Sequence, residues 1–469
     1  MQEVGEDDGD PEWDDLEEVC SRPQTPLSRP PSPLPGFTSA PELPISGRSS
    51  PLSEPPDSRP TTLDPHPPPP AVADPAHPTN AKKRHQKAGK SARRKAKRQA
   101  EAKAHAFGAP AESASHSFTE QPPRQTAFTL RKLEACANAF TGLSKRTRTG
   151  HFPRIWTKQQ LLDAGHEQIH WDGIDPMVLL DADGYIVAVL LGRPRRPEWK
   201  LVILEVAQLL EQLRKEGVRR EIFRSKDKSH RRGNFHVLFD GYSMGTGQKK
   251  PGNLRHTKKY RQLLHHLFHN HSVRRVAGFQ SSGFARFFPK LYAYYRDTIL
   301  GIEANQPELN HLFSNSVYTA ATFNVGPQSF TAEHRDSHNL PHGVCPITAF
   351  GPFDAQLGGH LYIRQLKVFL ELPSGSSAAI LSGAFDHGNT PIQKNESRYS
   401  MTQYCAGALF RWAAYGYRTA KSLLALPGGA KKKAEIDGAP GARAAWAAGL
   451  LSKPEELVAD RRAVFGPKK

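Results

Sequence analysis

The chain has 469 residues, a formal net charge of +18 and a pI near 9.7, which favours a polyanionic partner, either nucleic acid or an acidic membrane surface. No run approaches 18 consecutive apolar residues, so no membrane span is expected. The four cysteines include no C-x-x-C pair, which argues against a cysteine zinc site and favours a reducing compartment.

Residues 1–124 are predicted to be disordered. The first 18 residues carry ten carboxylates, and residues 21–80 hold 19 of the 40 prolines, a composition that cannot bury enough apolar surface to fold. Residues 82–103 contain eleven Lys or Arg and one Glu. Such a run suits a nuclear import signal or an arm on phosphate backbones, and the nucleus is the predicted compartment. The alternative is a solubilising linker.

Order is expected from residue 125, and the folded domain is predicted to span 125–425. Thr157–Gln160 has the pattern of a capping box that opens a short helix. Val178–Leu180 and Tyr185–Leu191 are apolar runs joined by a turn, which predicts a hairpin. Leu201–Glu216 has the apolar spacing of a helix.

A basic region follows, with seventeen Lys or Arg against five Asp or Glu in residues 211–275. Within it, the glycine-rich stretch 241–252 precedes a helix expected to start near Asn253 and to continue over Leu254–His269. The stretch lacks the spacing of a P-loop, but its charge could lie along phosphates; a plain flexible loop is the alternative. The predicted contacts to a DNA backbone, called here the basic set, are Lys249, Lys250, Arg255, Lys258 and Lys259.

From residue 318 the pattern is typical of β-structure. The predicted strands are Tyr318–Val325, Val344–Ala349, His360–Leu366, Lys367–Leu372, Ala378–Leu381, Arg398–Tyr404 and Leu409–Ala413. Short strands separated by Gly and Pro indicate a sandwich or jelly roll, and the preceding helices make the class α+β. Residues 426–469 are rich in Ala, Gly and Lys and are predicted to form a weakly ordered basic tail.

The candidate site begins in the segment 331–339, which reads TAEHRDSHN. His334 and Asp336 are two residues apart, so in extended backbone both point to the same side. Two histidines and one carboxylate that leave open positions form the facial triad of non-haem Fe(II) oxygenases. Candidates for the second histidine are His338, His342, His360 and His387; His387 is favoured because it lies between two predicted strands.

The strand after His387 has an unusual polar face. Alternation places Arg398, Ser400, Thr402 and Tyr404 on one side of the strand. Arg398 can bind a carboxylate through two N–H groups, and Ser400 can add a hydrogen bond. A lone H-x-D would be unremarkable among 21 histidines, but this ordered set predicts an iron site with a carboxylate co-substrate.

With these residues in place, the segment from about 150 to 420 resembles the TET/JBP family of Fe(II)- and 2-oxoglutarate-dependent oxygenases, and its fungal members most. The motifs are HRDSHN, GGHL, the isolated His387, and RYSMTQY leading into GALFRW. The resemblance implies that iron is bound by His334, Asp336 and His387. It implies that 2-oxoglutarate is bound by Arg398, Ser400 and His360, and that a flipped-out 5-methylcytosine is contacted by Asn339 and Tyr404.

The resemblance therefore implies a double-stranded β-helix (jelly-roll) core with flanking helices. The implied reaction uses O₂ to oxidise the methyl group of 5-methylcytosine in DNA to hydroxymethyl and further products. Ala406 stands where animal members have a base-contacting His, and their cysteine-rich zinc region is missing, so the exact base stays open. The alternatives are the same chemistry on thymine, RNA or protein, and a non-catalytic DNA-binding protein derived from a transposon.

Overall fold

The computed structural model describes residues 106–108, 121–136, 138–143, 154–223, 229–230, 232–245, 247–439 and 442–466. The acidic head, the proline-rich stretch and the basic run 82–103 lie outside the described residues. Within the described ranges, no helix is both long and apolar enough to cross a bilayer.

The described residues form fifteen strands. They are β1 (Arg124–Gln125), β2 (Glu167–Ile169), β3 (Met177–Leu180), β4 (Ile186–Gly192), β5 (Ser229–His230), β6 (Gly233–Asn234), β7 (Val237–Ser243), β8 (Gly252–Asn253), β9 (Ala320–Asn324), β10 (Cys345–Phe350), β11 (Leu361–Ile363), β12 (Val368–Leu370), β13 (Ser377–Ile380), β14 (His387–Asn389) and β15 (Tyr399–Tyr404).

Ten α-helices accompany these strands in the same ranges. They are α1 (Lys158–Asp163), α2 (Glu198–Arg219), α3 (Lys258–His269), α4 (His271–Phe287), α5 (Pro289–Asn305), α6 (Gly407–Ala414), α7 (Ala420–Leu424), α8 (Gly429–Asp437), α9 (Ala442–Ala448) and α10 (Leu457–Phe465). The α+β class predicted from the sequence is confirmed.

The strands form two principal sheets. The larger has the order β1-β3-β4-β13-β10-β15-β9-β7-β8, and the smaller has the order β14-β11-β12-β2. In the larger sheet β15 is antiparallel to both β10 and β9, with Ser400 opposite Ala349 and Asn324. Ser400 and Tyr404 therefore come from the centre of the larger sheet and His387 from the edge of the smaller one, while His334 and Asp336 lie in the segment that bridges to His387.

Helices α2, α3 and α4 cover one face of the larger sheet. Leu238, Phe323 and Met401 share an apolar cluster with residues of these helices, such as Leu210 and Val276. Because side chains alternate along a strand, Ser400, Thr402 and Tyr404 take the opposite face, as the sequence predicts. Burial of Met401 thus fixes which way the polar face points.

A buried polar network joins α4 to the sheet. Gln280 donates through Nε2 to the hydroxyl of Thr348 (2.7 Å), and Gln403 donates to Oε1 of Gln280 (2.8 Å). The Gln403 Oε1 accepts in turn from the hydroxyl of Ser316 (2.8 Å). Each amide is satisfied without water, so the network fixes the register of the helix against β15.

Two local predictions are confirmed in detail. The capping box is present: the Thr157 hydroxyl accepts from the Gln160 amide (3.2 Å), and Oε1 of Gln160 accepts from the Thr157 amide (3.1 Å). The predicted hairpin is β3–β4, with Val178 opposite Val189. Both features depend on residues close in sequence.

Other local predictions are wrong. The strand predicted over Leu409–Ala413 lies in α6, because a short apolar run does not distinguish a strand from a buried helix. Helix α3 begins at Lys258 rather than near Asn253, because Asn253 pairs with Tyr242 in the β7–β8 hairpin and Thr257 caps the helix.

The stretch 426–469 differs from the weakly ordered tail that its composition predicts. It contains α8, α9 and α10, and Leu451 and Leu457 are buried in the main apolar cluster. The ring of Phe465 packs 5.8 Å from that of Tyr292 in α5. A few apolar side chains suffice to anchor these helices, although average composition hides them.

Candidate metal centre

His334, Asp336 and His387, called here the metal triad, converge on one point. One potential ligand atom of each lies within 4.8 Å of the other two. Nε2 of His334 is 3.8 Å from Oδ1 of Asp336, and Nε2 of His387 is 4.0 Å from Oδ2. Two imidazoles and one carboxylate around a shared centre can hold a divalent metal while leaving coordination positions open.

Backbone contacts orient both imidazoles of the triad. Nδ1 of His334 lies 2.9 Å from the carbonyl oxygen of Ala332, and Nδ1 of His387 lies 2.8 Å from that of Phe385. Since a carbonyl oxygen only accepts, each Nδ1 carries a proton and each Nε2 presents its lone pair to the centre. This tautomer is the one that a metal requires.

The two histidines also pair through their backbones. The amide of His334 donates to the carbonyl of His387 (3.0 Å), and the reverse bond measures 2.9 Å. Burial and the neighbouring His387 hold the pKa of His334 well below its usual 6.5, so that imidazole is neutral at neutral pH. His334 is therefore held in the neutral form that can bind a metal.

Arg232 is a site residue that the sequence did not reveal. Its Nη2 lies 2.5 Å from Oδ1 of Asp336, and its carbonyl accepts from the Ala332 amide at 2.7 Å. The guanidinium thus balances the carboxylate of the triad. Asp336 lies 104 residues further along the chain, and no motif around Arg232 predicts the contact.

Arg398 lies almost fully buried before β15, at 1% exposure. Nη1 donates to the carbonyl of Ser329 (3.0 Å), while Nε and Nη2 are buried without a hydrogen-bond partner among the described residues. Burial lowers the pKa of Arg398 to about 10, which leaves it charged at neutral pH. A buried cation with free N–H groups is the feature expected of a carboxylate-binding site.

The turn before β11 makes room for this guanidinium. Gly359 has φ of +71°, and a Cβ there would lie 3.1 Å from Cδ of Arg398 and 3.1 Å from the Phe353 ring. Ser400, two residues after Arg398, accepts from Nδ2 of Asn324 (2.8 Å). The Gly-Gly pair that precedes the strand therefore serves the predicted anion site directly.

His360 has a different setting from Arg398. Its Nδ1 contacts the Thr390 hydroxyl at 2.8 Å, and its ring packs edge-on against Phe369 at 5.4 Å. Phe369 belongs to a small cluster with Trp156 and Tyr362, which places the imidazole on that side of the smaller sheet. Its contact with a co-substrate stays a prediction.

Asn339 and Tyr404, the predicted base contacts, lie near the triad. Nδ2 of Asn339 lies 3.4 Å from both the Ser382 hydroxyl and Sγ of Cys345. The backbone N–H of Asn339 donates to the backbone carbonyl of Asp336 at 2.9 Å. The Tyr404 hydroxyl accepts from that of Thr322 at 3.3 Å. Burial raises the pKa of Tyr404, so it is a neutral donor at neutral pH.

The basic set divides into two groups. Lys250 pairs with Glu308 at 2.8 Å. The other four members are exposed: Lys249, Arg255 before the helix, and Lys258 and Lys259 in the first turn of α3. Among the residues that the structure describes, these four have no ion-pair partner, so their charge is available for a phosphate.

No protein-family model and no curated protein matches the chain. The solved structure of NgTET1 in complex with 5mC DNA is 13% identical at a TM-score of 0.31, covering 54% of this chain and 91% of that one. An oxidoreductase of the 2OG-Fe(II) oxygenase family from Burkholderia pseudomallei is 14% identical at a TM-score of 0.22, covering 36% and 68%. At these TM-scores the similarity supports no conclusion about function. The proposed function is based instead on the side chains of the site.

Proposed function

We propose that the protein is an Fe(II)- and 2-oxoglutarate-dependent dioxygenase that oxidises the methyl group of 5-methylcytosine in DNA. The observation that carries this proposal is a triad of two oriented histidines and one aspartate in the same domain as a buried arginine, two of whose nitrogens have no hydrogen-bond partner among the described residues. In this proposal the two principal sheets are the halves of a double-stranded β-helix, with the nucleus as the site of action.

The metal triad would hold the iron. Its donor set of two imidazole nitrogens and one carboxylate suits Fe(II), and both Nε2 atoms are available because each Nδ1 is engaged by backbone. When bound, iron and 2-oxoglutarate supply the activation of O₂ and the oxidation of a C–H bond, and the protein supplies binding and orientation. Arg232, which contacts Oδ1 of Asp336, would balance the charge of that carboxylate.

The co-substrate is the natural partner of Arg398. Its far carboxylate would satisfy Nε and Nη2, and Ser400 lies on the same face of β15. Asn389 adds a further donor: its Oδ1 accepts from the Thr331 hydroxyl (2.9 Å), while Nδ2 is buried without a partner among the described residues. Two residues after His387 on β14, it shares that ligand's side of the strand.

The substrate part of the proposal rests on the inner polar surface and the basic residues outside it. A base within a duplex cannot reach a buried centre, so it must be flipped out at a cost of a few kcal/mol. Asn339 and Tyr404 would meet that base through hydrogen bonds and ring contact. Arg255, Lys258 and Lys259 would hold the phosphate backbone meanwhile.

The decisive experiment is a mass-spectrometric assay. Pure protein is incubated with Fe(II), 2-oxoglutarate and ascorbate in air, with matched oligonucleotides that differ only in cytosine methylation. The gain of one oxygen atom on the methylated strand, with release of succinate, is the expected result. Asp336→Ala should abolish turnover and leave DNA affinity unchanged, whereas Asp163→Ala, an exposed carboxylate on α1, should remain active.

The same assay separates the alternatives. Oxygen on thymine of the unmethylated strand would move the substrate to that base. Succinate formed with RNA or protein, but not with DNA, would keep the chemistry and replace the substrate. DNA binding without succinate under all conditions would instead favour the non-catalytic alternative. Full activity of Asp336→Ala would contradict the assignment of the triad.

A further inference from the structure

Arg335 lies between two members of the metal triad in the sequence, and Asp386 directly precedes the third. Because alternate residues of an extended segment point to opposite sides, these two side chains project away from the centre that their neighbours face. They nevertheless meet behind it. Both are buried, with Arg335 at 6% exposure and Asp386 at 5%.

The two side chains form a forked ion pair. Nε of Arg335 is 3.0 Å from Oδ1 of Asp386, and Nη2 is 3.2 Å from Oδ2. Gln365 holds the carboxylate in place: its Nε2 donates to Oδ2 (2.9 Å), and its Oε1 accepts from the Asp386 amide (2.8 Å). The third nitrogen, Nη1 of Arg335, contacts Glu134 at 2.8 Å.

The two segments that carry the triad are also joined near the centre by backbone bonds and by the side-chain bond between Thr331 and Asn389. The reciprocal bonds between His334 and His387 fix their spacing, and the Asp336 amide donates to the carbonyl of Ser382 (3.0 Å). These bonds fix the backbone on the side of the centre, and the fork of Arg335 and Asp386 fixes the opposite side. The fork restricts movement of one segment against the other, because its planar geometry tolerates little misalignment.

We infer that the Arg335–Asp386 pair positions the metal triad and thereby sets its affinity for the metal. This inference rests on the proposed function, since it assumes that the triad binds a divalent ion. Neither residue touches the metal; both act through the ligands beside them. Loss of an outer hydrogen-bond partner of a metal ligand commonly weakens metal affinity about 10- to 100-fold, and we expect the lower end of that range because the fork acts through the backbone of the ligands.

The test measures Co(II) binding to the full chain through the visible absorption of the ion. Removing one partner alone would leave a buried unpaired charge and endanger folding, so the principal variant is the double exchange Arg335→Met with Asp386→Asn. The introduced side-chain amide would keep an oxygen for Gln365. Arg335→Lys retains the charge without the fork, and thermal unfolding of metal-free protein checks that each variant is folded.

A matched control is available beside the same ligand. Arg364 pairs with Glu333, the residue before His334, at 3.0 Å, but its side chain is 44% exposed. Arg364→Met should change the Co(II) dissociation constant by less than about twofold, because exposed ion pairs contribute little. The double variant should weaken Co(II) binding at least about tenfold and alter the spectrum, with Arg335→Lys in between.

The outcomes separate the positioning role of the Arg335–Asp386 pair from the existence of the metal centre. A folded double variant with the affinity and spectrum of the wild type would overturn the positioning role and leave the proposed function intact. Wild-type protein whose Co(II) binding is absent, or unaffected by His334→Ala, would overturn the metal centre itself, and the proposed function and this inference with it. Weaker binding confined to the variants of the fork would support the inference.

Discussion

The buried charge of Arg398 destabilises the fold but suits the binding of an anion. Its guanidinium is buried, and of its N–H groups those on Nε and Nη2 have no hydrogen-bond partner in the described structure. A buried charge without a counter-charge destabilises a fold by several kcal/mol in general. The ring of Phe353, 5.6 Å away, compensates only in part. An anionic ligand would remove the conflict, which is why we place the co-substrate carboxylate here.

Replacement of this residue should separate stability from binding. Arg398→Met should raise the free energy of unfolding of the ligand-free protein by about 1–3 kcal/mol, because it removes an unpaired buried charge and keeps the volume. Addition of 2-oxoglutarate to the Mn(II)-loaded protein should stabilise the wild type further and leave the Mn(II)-loaded variant unchanged. Urea unfolding with and without the ligand measures both effects; Arg196→Met, at an exposed arginine, is the control.

His360 predicts how stability varies with pH. Burial lowers its pKa to about 4 from the ordinary 6.5. Below pH 6.5 this histidine is protonated in the unfolded chain but stays neutral in the folded protein until the pH approaches 4. The contribution of His360 to the free energy of unfolding is therefore fully present above pH 6.5 and is lost as the pH falls towards 4. His360→Gln, which can keep the contact with Thr390, should reduce that loss by up to about 3 kcal/mol.

Urea unfolding at several pH values between 7 and about 4 checks this expectation. His265→Gln, at an exposed position on α3, should retain the acid dependence of the wild type. An unchanged acid slope in His360→Gln would mean that the imidazole is hydrated or already paired in solution.

At the scale of elements, the turn between Gly358 and β11 shapes the anion site. Gly359→Ala combines the strain of a left-handed backbone, about 1 kcal/mol, with a Cβ pressed against Arg398. We expect it to weaken 2-oxoglutarate binding about tenfold or more while Co(II) binding is retained. Gly165→Ala is the matched control, since Gly165 has φ of +75° and no atom within 4 Å of the added Cβ.

Calorimetric titration of both glycine variants with 2-oxoglutarate in the presence of Mn(II) decides the matter. Equal losses in the two variants would attribute the effect to backbone strain alone, and the proposed fit between the turn and Arg398 would be wrong.

Elements whose signals are local could be predicted from the sequence. The capping box at Thr157 and the β3–β4 hairpin depend on neighbouring residues, and the H-x-D spacing brings two ligands together through strand geometry alone. The second histidine was harder, because four candidates had equal chemistry. His387 is the one that lies across from His334, in an antiparallel bridge.

Features that depend on distant pairs could not be predicted. Arg232 and Asp336 are 104 residues apart, and Arg335 and Asp386 are 51 apart, so only the folded chain brings them together. The sequence also does not predict helix α6, for a related reason. Its apolar residues are buried by tertiary packing, and a run of this length has no period that decides between helix and strand.

On the scale of the whole molecule, the surplus of positive charge matters most for association with DNA. Lys258 and Lys259 lie in the first turn of α3 and Arg255 lies just before its N-cap, Thr257, while Lys250 is paired with Glu308. Each cation that meets a phosphate releases counterions, so the logarithm of the affinity falls with the logarithm of salt concentration by about 0.9 per contact. The structure therefore ranks the members of the basic set.

Exchange of Arg255, Lys258 and Lys259 for Ala should weaken DNA binding and make the salt dependence shallower by up to about 2.7. Lys250→Ala should have a smaller effect, because its charge is already paired. Fluorescence anisotropy of a labelled duplex over a range of salt concentrations measures the slopes. A triple variant with the wild-type slope would place the phosphate contacts elsewhere on the molecule.

The surroundings of Trp156 have a practical consequence. Its indole Nε1 donates to Glu333 (2.8 Å), the neighbour of His334, and the guanidinium of Arg154 lies 3.3 Å from the ring centroid. Because this indole is bonded to the residue beside a ligand, we expect its emission to change when the centre is loaded. A paramagnetic ion should quench this fluorophore, so the protein carries its own optical probe of loading, and no label is needed to follow it in real time.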